Sequence, residues 1–206
     1  MIKTLVNRAQ NPIATFVFAH GAGAGQNSEF MQLMTQALAE RNINVVRFNF
    51  AYMQLAQELG KRRPPDRADK LLDHFNVVLQ EVDNSLPVFI GGKSMGGRMA
   101  SMLLEASTAI GCICMGYPFH PPGKPEKLRT EHLLSISKPI LILQGERDTF
   151  GKREEIGTYN LSAQVHLSYL HDGDHSFKPR KVSGFTFNDN FQLAINNTVD
   201  FIKSNI

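Results

Sequence analysis

The stretch Val88-Phe89-Ile90-Gly91-Gly92-Lys93-Ser94-Met95-Gly96 decides how this chain is read. Its apolar start reads as a buried strand, and Met99, Met102 and Leu103 beyond it fall on one side of a helix. Between them lies G-x-S-x-G, which in a strand-to-helix setting describes a sharp turn holding a serine in a strained conformation with its hydroxyl exposed. Glycines flank the serine because a side chain there would collide with the neighbouring strand and helix. Ser94 is the candidate nucleophile. Gly92-Lys93-Ser94 also matches the end of the phosphate-binding pattern G-x-x-x-x-G-K-[ST], but the first glycine of that pattern would fall on Pro87, and strand residues fill the space of the loop. The plainest alternative is a glycine-rich turn with an inert serine, and the rest of the chain argues against it.

A serine hydroxyl needs a histidine to take its proton and an acid to fix that histidine's tautomer and orientation. A strand-to-helix serine predicts the order Ser, Asp or Glu, His. The apolar run 140–143 reads as a buried parallel strand and ends in Gln144-Gly145-Glu146-Arg147-Asp148, which offers Glu146 and Asp148 as acids. The run 165–170 leads into His171-Asp172-Gly173-Asp174-His175-Ser176-Phe177, which offers His171 and His175. The spacing of His166, His171 and His175 does not put two ligands on one helical face, and no carboxylate pattern joins them, so no metal site is expected.

His20-Gly21-Ala22-Gly23, Gly92-Lys93-Ser94-Met95-Gly96, Gln144-Gly145-Glu146-Arg147-Asp148 and Gly173-Asp174-His175-Ser176-Phe177 occur in this order along nearly the whole chain. In these four pieces the sequence resembles the α/β-hydrolase superfamily. More narrowly it is similar to the small, capless, hydrolase-like proteins near the dienelactone-hydrolase branch, which include eukaryotic relatives in chromatin complexes. The resemblance implies a catalytic triad of Ser94, Asp148 and His175, the acid at the later of the two carboxylates and the base in its Asp-His-Ser-Phe context. It also implies an oxyanion hole formed by the backbone N–H groups of Ala22 and Met95, with His20 shaping that loop rather than acting as a base.

Composition fits one globular domain over residues 1–206: 42% of residues are hydrophobic and the net charge is only +3. Cys112 and Cys114 alternate within an apolar strand-like run, where they read as small buried groups on one face rather than as a redox or metal pair. The amino-terminal residues Met1 to Arg8 carry no apolar core or small-residue cleavage site, and no transmembrane span is found, so the cytoplasm is the expected location.

Strands are expected at 14–19, 45–50, 88–90, 110–115, 140–143 and 165–170, with amphipathic helices between them and at the carboxy terminus. This alternation predicts an α/β fold, a mostly parallel central sheet with helices on both faces. In such a sheet the loops at the carboxyl ends of the strands gather on one edge, where ligands bind. Residues 51–67 read as a long functional connection carrying Lys61, Arg62 and Arg63. Residues 117–136, where larger relatives insert a cap, number about twenty, too few for a separate cap domain.

The expected protein is a serine hydrolase that cleaves a small ester, thioester or lactone through an acyl-enzyme on Ser94, without a cofactor. Arg62 and Arg63 are the expected contacts for an anionic substrate, because paired guanidinium groups suit carboxylate or phosphate. The same basic rim also admits a solvated surface, and no motif or aromatic platform favours nucleic acid. The rival from another class is a binding or scaffold protein that kept the hydrolase fold. Hydrolysis and acyl transfer are not separated by these residues.

Overall fold

In a computed structural model, which describes residues 2–206 and so leaves Met1 of the amino-terminal stretch outside, the chain alternates strands and helices. The elements are β1 (Thr4–Asn7), β2 (Ala14–Ala19), α1 (Glu29–Ala39), β3 (Ile43–Phe48), α2 (Ala51–Leu59), α3 (Ala68–Gln80), β4 (Val88–Lys93), α4 (Met95–Leu103), β5 (Gly111–Met115), β6 (Ile140–Gly145), α5 (Arg153–Ile156), β7 (Val165–Leu170) and α6 (Phe187–Ser204). The strands form one seven-stranded sheet in the order β1-β3-β2-β4-β5-β6-β7. Only β1 runs antiparallel to its neighbour.

Alternation of side chains along buried strands divides the core into two layers. Val17, Ile90, Cys112, Cys114, Ile140 and Ile142 point to the face covered by α3 and α4. Phe16, Phe18, Phe89, Ile113, Leu141 and Leu143 point to the opposite face, covered by α1 and α6. Both faces are buried, so these strands read as continuous apolar runs rather than as alternating ones. Fully burying one such large side chain contributes about 1.5–3 kcal/mol. The two free thiols lie side by side as expected, with Sγ atoms 3.7 Å apart in the core.

The sheet reverses its winding at β2. From there the chain goes outward through α1 to β3, then back across β2 through α2 and α3 to β4. The loops after β2 and β4 therefore part in opposite directions and leave a crevice at the carboxyl edge, the usual ligand position in open α/β sheets.

Two segments differ from the sequence reading. Residues 51–67 are not one long loop, because their first half is α2, closed by Gly60 in the left-handed conformation at φ 62°. Leu55 and Leu59 are apolar yet exposed, so the helix shows no clean apolar stripe in sequence. Edge strand β1 was not anticipated either, since Leu5 and Val6 are both largely exposed. Between β5 and β6 the chain forms only a short 3-10 turn, Glu131–Leu134, and no cap domain. Among the described residues no helix is long and apolar enough to cross a membrane.

Candidate active site

Strand β4 ends at Lys93, and Ser94 turns the chain into α4 with φ 52° and ψ −116°. A non-glycine residue held at positive φ costs of order 1–3 kcal/mol, and such strain persists only where the surroundings over-determine it. Here they do. Ser94 N–H donates to Met115 O of the adjacent strand at 2.9 Å, and Arg98 N–H returns to Ser94 O at 3.1 Å to begin the helix. Gly96 is required because a Cβ there would stand 2.6 Å from the carbonyl oxygens of both Ala19 and His20. At Gly92 a Cβ would run into the backbone of Gly96 and Gly97.

Ser94 Oγ lies 2.9 Å from His175 Nε2, and His175 Nδ1 lies 2.8 Å from Asp148 Oδ2. Asp148 is fully buried, yet both of its oxygens are hydrogen-bonded beyond the contact with His175. Gln144 Nε2 donates to Oδ2 at 3.0 Å and Phe150 N–H donates to Oδ1 at 2.9 Å. A buried carboxylate with this set of donors is satisfied and fixed in orientation, which in turn fixes the ring it faces. Phe150 also packs against the His175 ring, with centroids 4.4 Å apart.

The two competing residues are occupied elsewhere. Glu146 accepts from Arg153 Nη1 at 2.6 Å and from Asp172 N–H at 2.8 Å. His171 stacks on Phe185 with centroids 4.3 Å apart, out on the surface.

The loop that carries His175 is tied at three points. Asp174 Oδ1 accepts from the N–H groups of Ser176 and Lys178 at 2.7 and 3.0 Å. Asn190 of α6 donates from Nδ2 to the carbonyls of His171 and Phe177, both at 2.9 Å. Lys93 reaches under the sheet edge, its ammonium 5.8 and 5.6 Å from the ring centroids of Phe30 and Phe177, and donates to His175 O at 2.6 Å. Burial lowers the Lys93 ammonium to about 8 against the opposing charges of Asp148 and Asp174.

On the other side of Ser94, the loop after β2 is held by His20, which the sequence reading gave a structural part in this loop, and by Tyr52, which it did not single out. His20 is buried, and its Nδ1–H donates to Gly21 O at 2.7 Å while Nε2 accepts from Phe50 N–H at 3.1 Å. Burial drives His20 down to about 4, which keeps the ring neutral in this tautomer. Tyr52 of α2 donates from Oη to Ala22 O at 3.1 Å. With these carbonyls held by His20 and Tyr52, the Ala22 amide borders the cleft beside Met95 and Ser94, and neither amide has an acceptor among the described residues. Tyr52 left no signal in sequence because α2 itself was not legible.

The cleft at Ser94 has a volume of about 280 Å³, walled by Leu71 and Met99 on one side and Pro118 and Phe150 on the other. Arg98, Arg129 and Asp66 supply its charges. Arg62 and Arg63 do not line it. They are exposed and border an adjoining hollow of about 520 Å³ with Gly60 and Lys61, sharing only Ala22 with the cleft. The chain leaves the site after α2 and returns only at Pro65 and Asp66, which carries the two arginines outward. Arg180, in the loop beyond His175, is paired with Asp172 at 2.5 Å.

The pattern of the alpha/beta hydrolase domain matches residues 12–203, more than nine-tenths of the chain. The protein belongs to the α/β-hydrolase family. Solved α/β-hydrolase structures resemble it over most of their length. An α/β serine hydrolase homologue from Coxiella burnetii superposes with a TM-score of 0.73 at 18% identity, covering 94% of this chain and 90% of the other. A lidless α/β serine hydrolase from Xanthomonas campestris gives 0.69 at 19% identity, covering 94% and 88%. A dienelactone hydrolase from Anabaena variabilis gives 0.68 at 17% identity, covering 95% and 89%. At these identities the likeness establishes the α/β-hydrolase fold, and the chemistry has to be argued from the residues themselves.

Proposed function

We propose that this α/β-hydrolase is a serine hydrolase that cleaves small carboxylic esters, thioesters or lactones through an acyl-enzyme on Ser94. The observation that carries the reading is the unbroken chain from Ser94 Oγ through the two nitrogens of His175 to the buried Asp148, at 2.9 and 2.8 Å. His175 Nε2 accepts the Ser94 proton as Oγ bonds to the substrate carbonyl carbon, and Asp148 stabilises the imidazolium that forms. The negative oxygen of the tetrahedral intermediate is held by the Ala22 and Met95 amides, whose lack of other acceptors supports this role. The carbon–oxygen or carbon–sulfur bond to the leaving group then breaks, and His175 returns the proton to it. Water repeats the sequence on the acyl-enzyme, releasing the acid and restoring the Ser94 hydroxyl. In a lactone the leaving alcohol stays tethered to the acyl group, and hydrolysis yields a single hydroxy acid.

Size supports small substrates, because the cleft of about 280 Å³ falls just below the usual range of ligand pockets, roughly 300–1,000 Å³. The dienelactone hydrolase among the structural neighbours keeps lactones in the set. The deciding experiment is labelling of the protein and of Ser94→Ala with a fluorophosphonate probe, followed by mass analysis of the modified peptide. Labelling confined to Ser94 and absent from the variant is the expected result. A folded wild-type protein that does not label contradicts the reading and returns the fold to a scaffold role.

A further inference from the structure

Arg98 lies one helical turn beyond Ser94, joined to it by the first hydrogen bond of α4. Ser94 and Arg98 both line the cleft. Arg129 reaches the same cleft from the loop after β5, where its backbone is pinned on both sides: its N–H donates to Phe119 O at 2.7 Å, and Tyr117 Oη donates to its carbonyl at 2.8 Å. Both side chains are half-buried.

Neither guanidinium has a hydrogen-bond acceptor or an ion-pair partner among the described residues, and Arg98 Nε is a buried donor with nothing to receive it. Asp66 stands in the same cleft and makes no ion pair with either. Burial and the neighbouring Arg98 charge both pull Arg129 below its usual range, as expected of two like charges brought together out of water. A protein that holds two adjacent unpaired guanidinium groups beside a nucleophile is poorer in energy empty than with an anion between them. Guanidinium forks match the two oxygens of a carboxylate.

We propose that Arg98 and Arg129 form the subsite for a carboxylate carried by the substrate, so that the ester cleaved at Ser94 is the half-ester of a short dicarboxylic acid, or a lactone that carries a carboxylate. One turn of helix separates the nucleophile from Arg98, so only a few bonds separate the scissile carbonyl from the carboxylate. The assignment rests on the serine hydrolase reading for its chemistry, but its binding half does not. It replaces Arg62 and Arg63, which the fold carries into the next hollow, as the residues that select an anion.

The test compares monomethyl succinate with methyl butanoate, near-isosteres that differ in the terminal carboxylate. The half-ester should be favoured at least tenfold in kcat/KM, and Arg98→Gln or Arg129→Gln should each collapse that ratio by tenfold or more, with Arg98→Lys restoring part of it. Equal turnover of the two esters by the wild-type protein overturns the subsite and leaves the hydrolase reading intact. Binding is read separately in Ser94→Ala protein by NMR titration with monomethyl succinate. Saturable binding that weakens with salt and is lost on adding either Arg→Gln change is the expected result, and absence of binding overturns the subsite. Failure of Ser94 to label with a fluorophosphonate is the distinct signature that the hydrolase reading itself is at fault.

Discussion

Lys93 Nζ donates to the main-chain carbonyl of His175 at 2.6 Å, so the residue before the candidate nucleophile holds the residue positioned to deprotonate it. The bond joins the end of β4 to a loop 82 residues later in the chain. Replacing Lys93 by Met keeps an apolar stem against Phe30 and Phe177 and removes only the donor. Since misplacement of a catalytic group by about 1 Å costs on the order of 100-fold, kcat should fall by roughly tenfold or more while the melting temperature stays close to that of the wild type. Full activity in Lys93→Met would remove the bond from the catalytic argument.

Asp148→Asn tests the far end of the chain. Gln144 Nε2 and Phe150 N–H already donate to this side chain, so a carboxamide must turn an NH₂ group toward a donor or toward His175 Nδ1. The second choice enforces the wrong histidine tautomer, and kcat is expected to drop about 10⁴-fold with the fold retained. Steady-state kinetics beside a circular dichroism melt would check both parts.

Two glycines close in sequence to cleft residues should answer differently to the same change. Gly96→Ala places a methyl group 2.6 Å from two backbone carbonyl oxygens that have no room to move. It should destabilise the protein by about 1–3 kcal/mol or more and abolish labelling of Ser94. Gly23 has nothing within 4 Å of the corresponding position, so Gly23→Ala should change stability by less than about 0.5 kcal/mol. Urea unfolding of the two variants would show the contrast.

Acid should weaken the fold before it protonates the bulk of the carboxylates. Burial lowers both His20 and His132 to about 4, while in the unfolded chain each titrates at its ordinary 6.5. Between those values the unfolded state binds protons that the folded state refuses, so stability is complete above about pH 6.5 and is lost as the pH falls toward 4. His132→Gln should flatten that decline, which denaturant midpoints at pH 7 and pH 4.5 would measure. Equal losses in variant and wild type would assign the acid sensitivity to other groups.

How much of this was legible in sequence follows from how strongly each piece is encoded locally. The central strands were readable because both faces of the sheet are covered and the apolar runs are unbroken, and the Ser94 turn because only glycines fit around it. Their ends were less so: Gly91, Gly92 and Lys93 continue β4 where apolar character stops, and Ile110, apolar but exposed, falls outside β5. Which of Glu146 and Asp148 faces His175 is a matter of side-chain direction at a strand end, and the fold brings Asp148 to it. Tyr52, Arg98 and Arg129 escaped notice for a different reason. Their importance lies in what the fold places opposite them, and an arginine without a partner looks in sequence like any other arginine.

The separation of Ser94 from His175 by 81 residues bears on when the protein becomes active during synthesis. A ribosome that has released β4 and α4 has produced an alcohol of ordinary reactivity, because the candidate base His175 arrives only after β7 has added to the edge of the sheet. Contacts between such distant segments form late, since the intervening chain must be ordered before they are rewarded. Reactivity toward a fluorophosphonate therefore reports completion of the fold, and a chain stalled before residue 175 should be as unreactive as free serine.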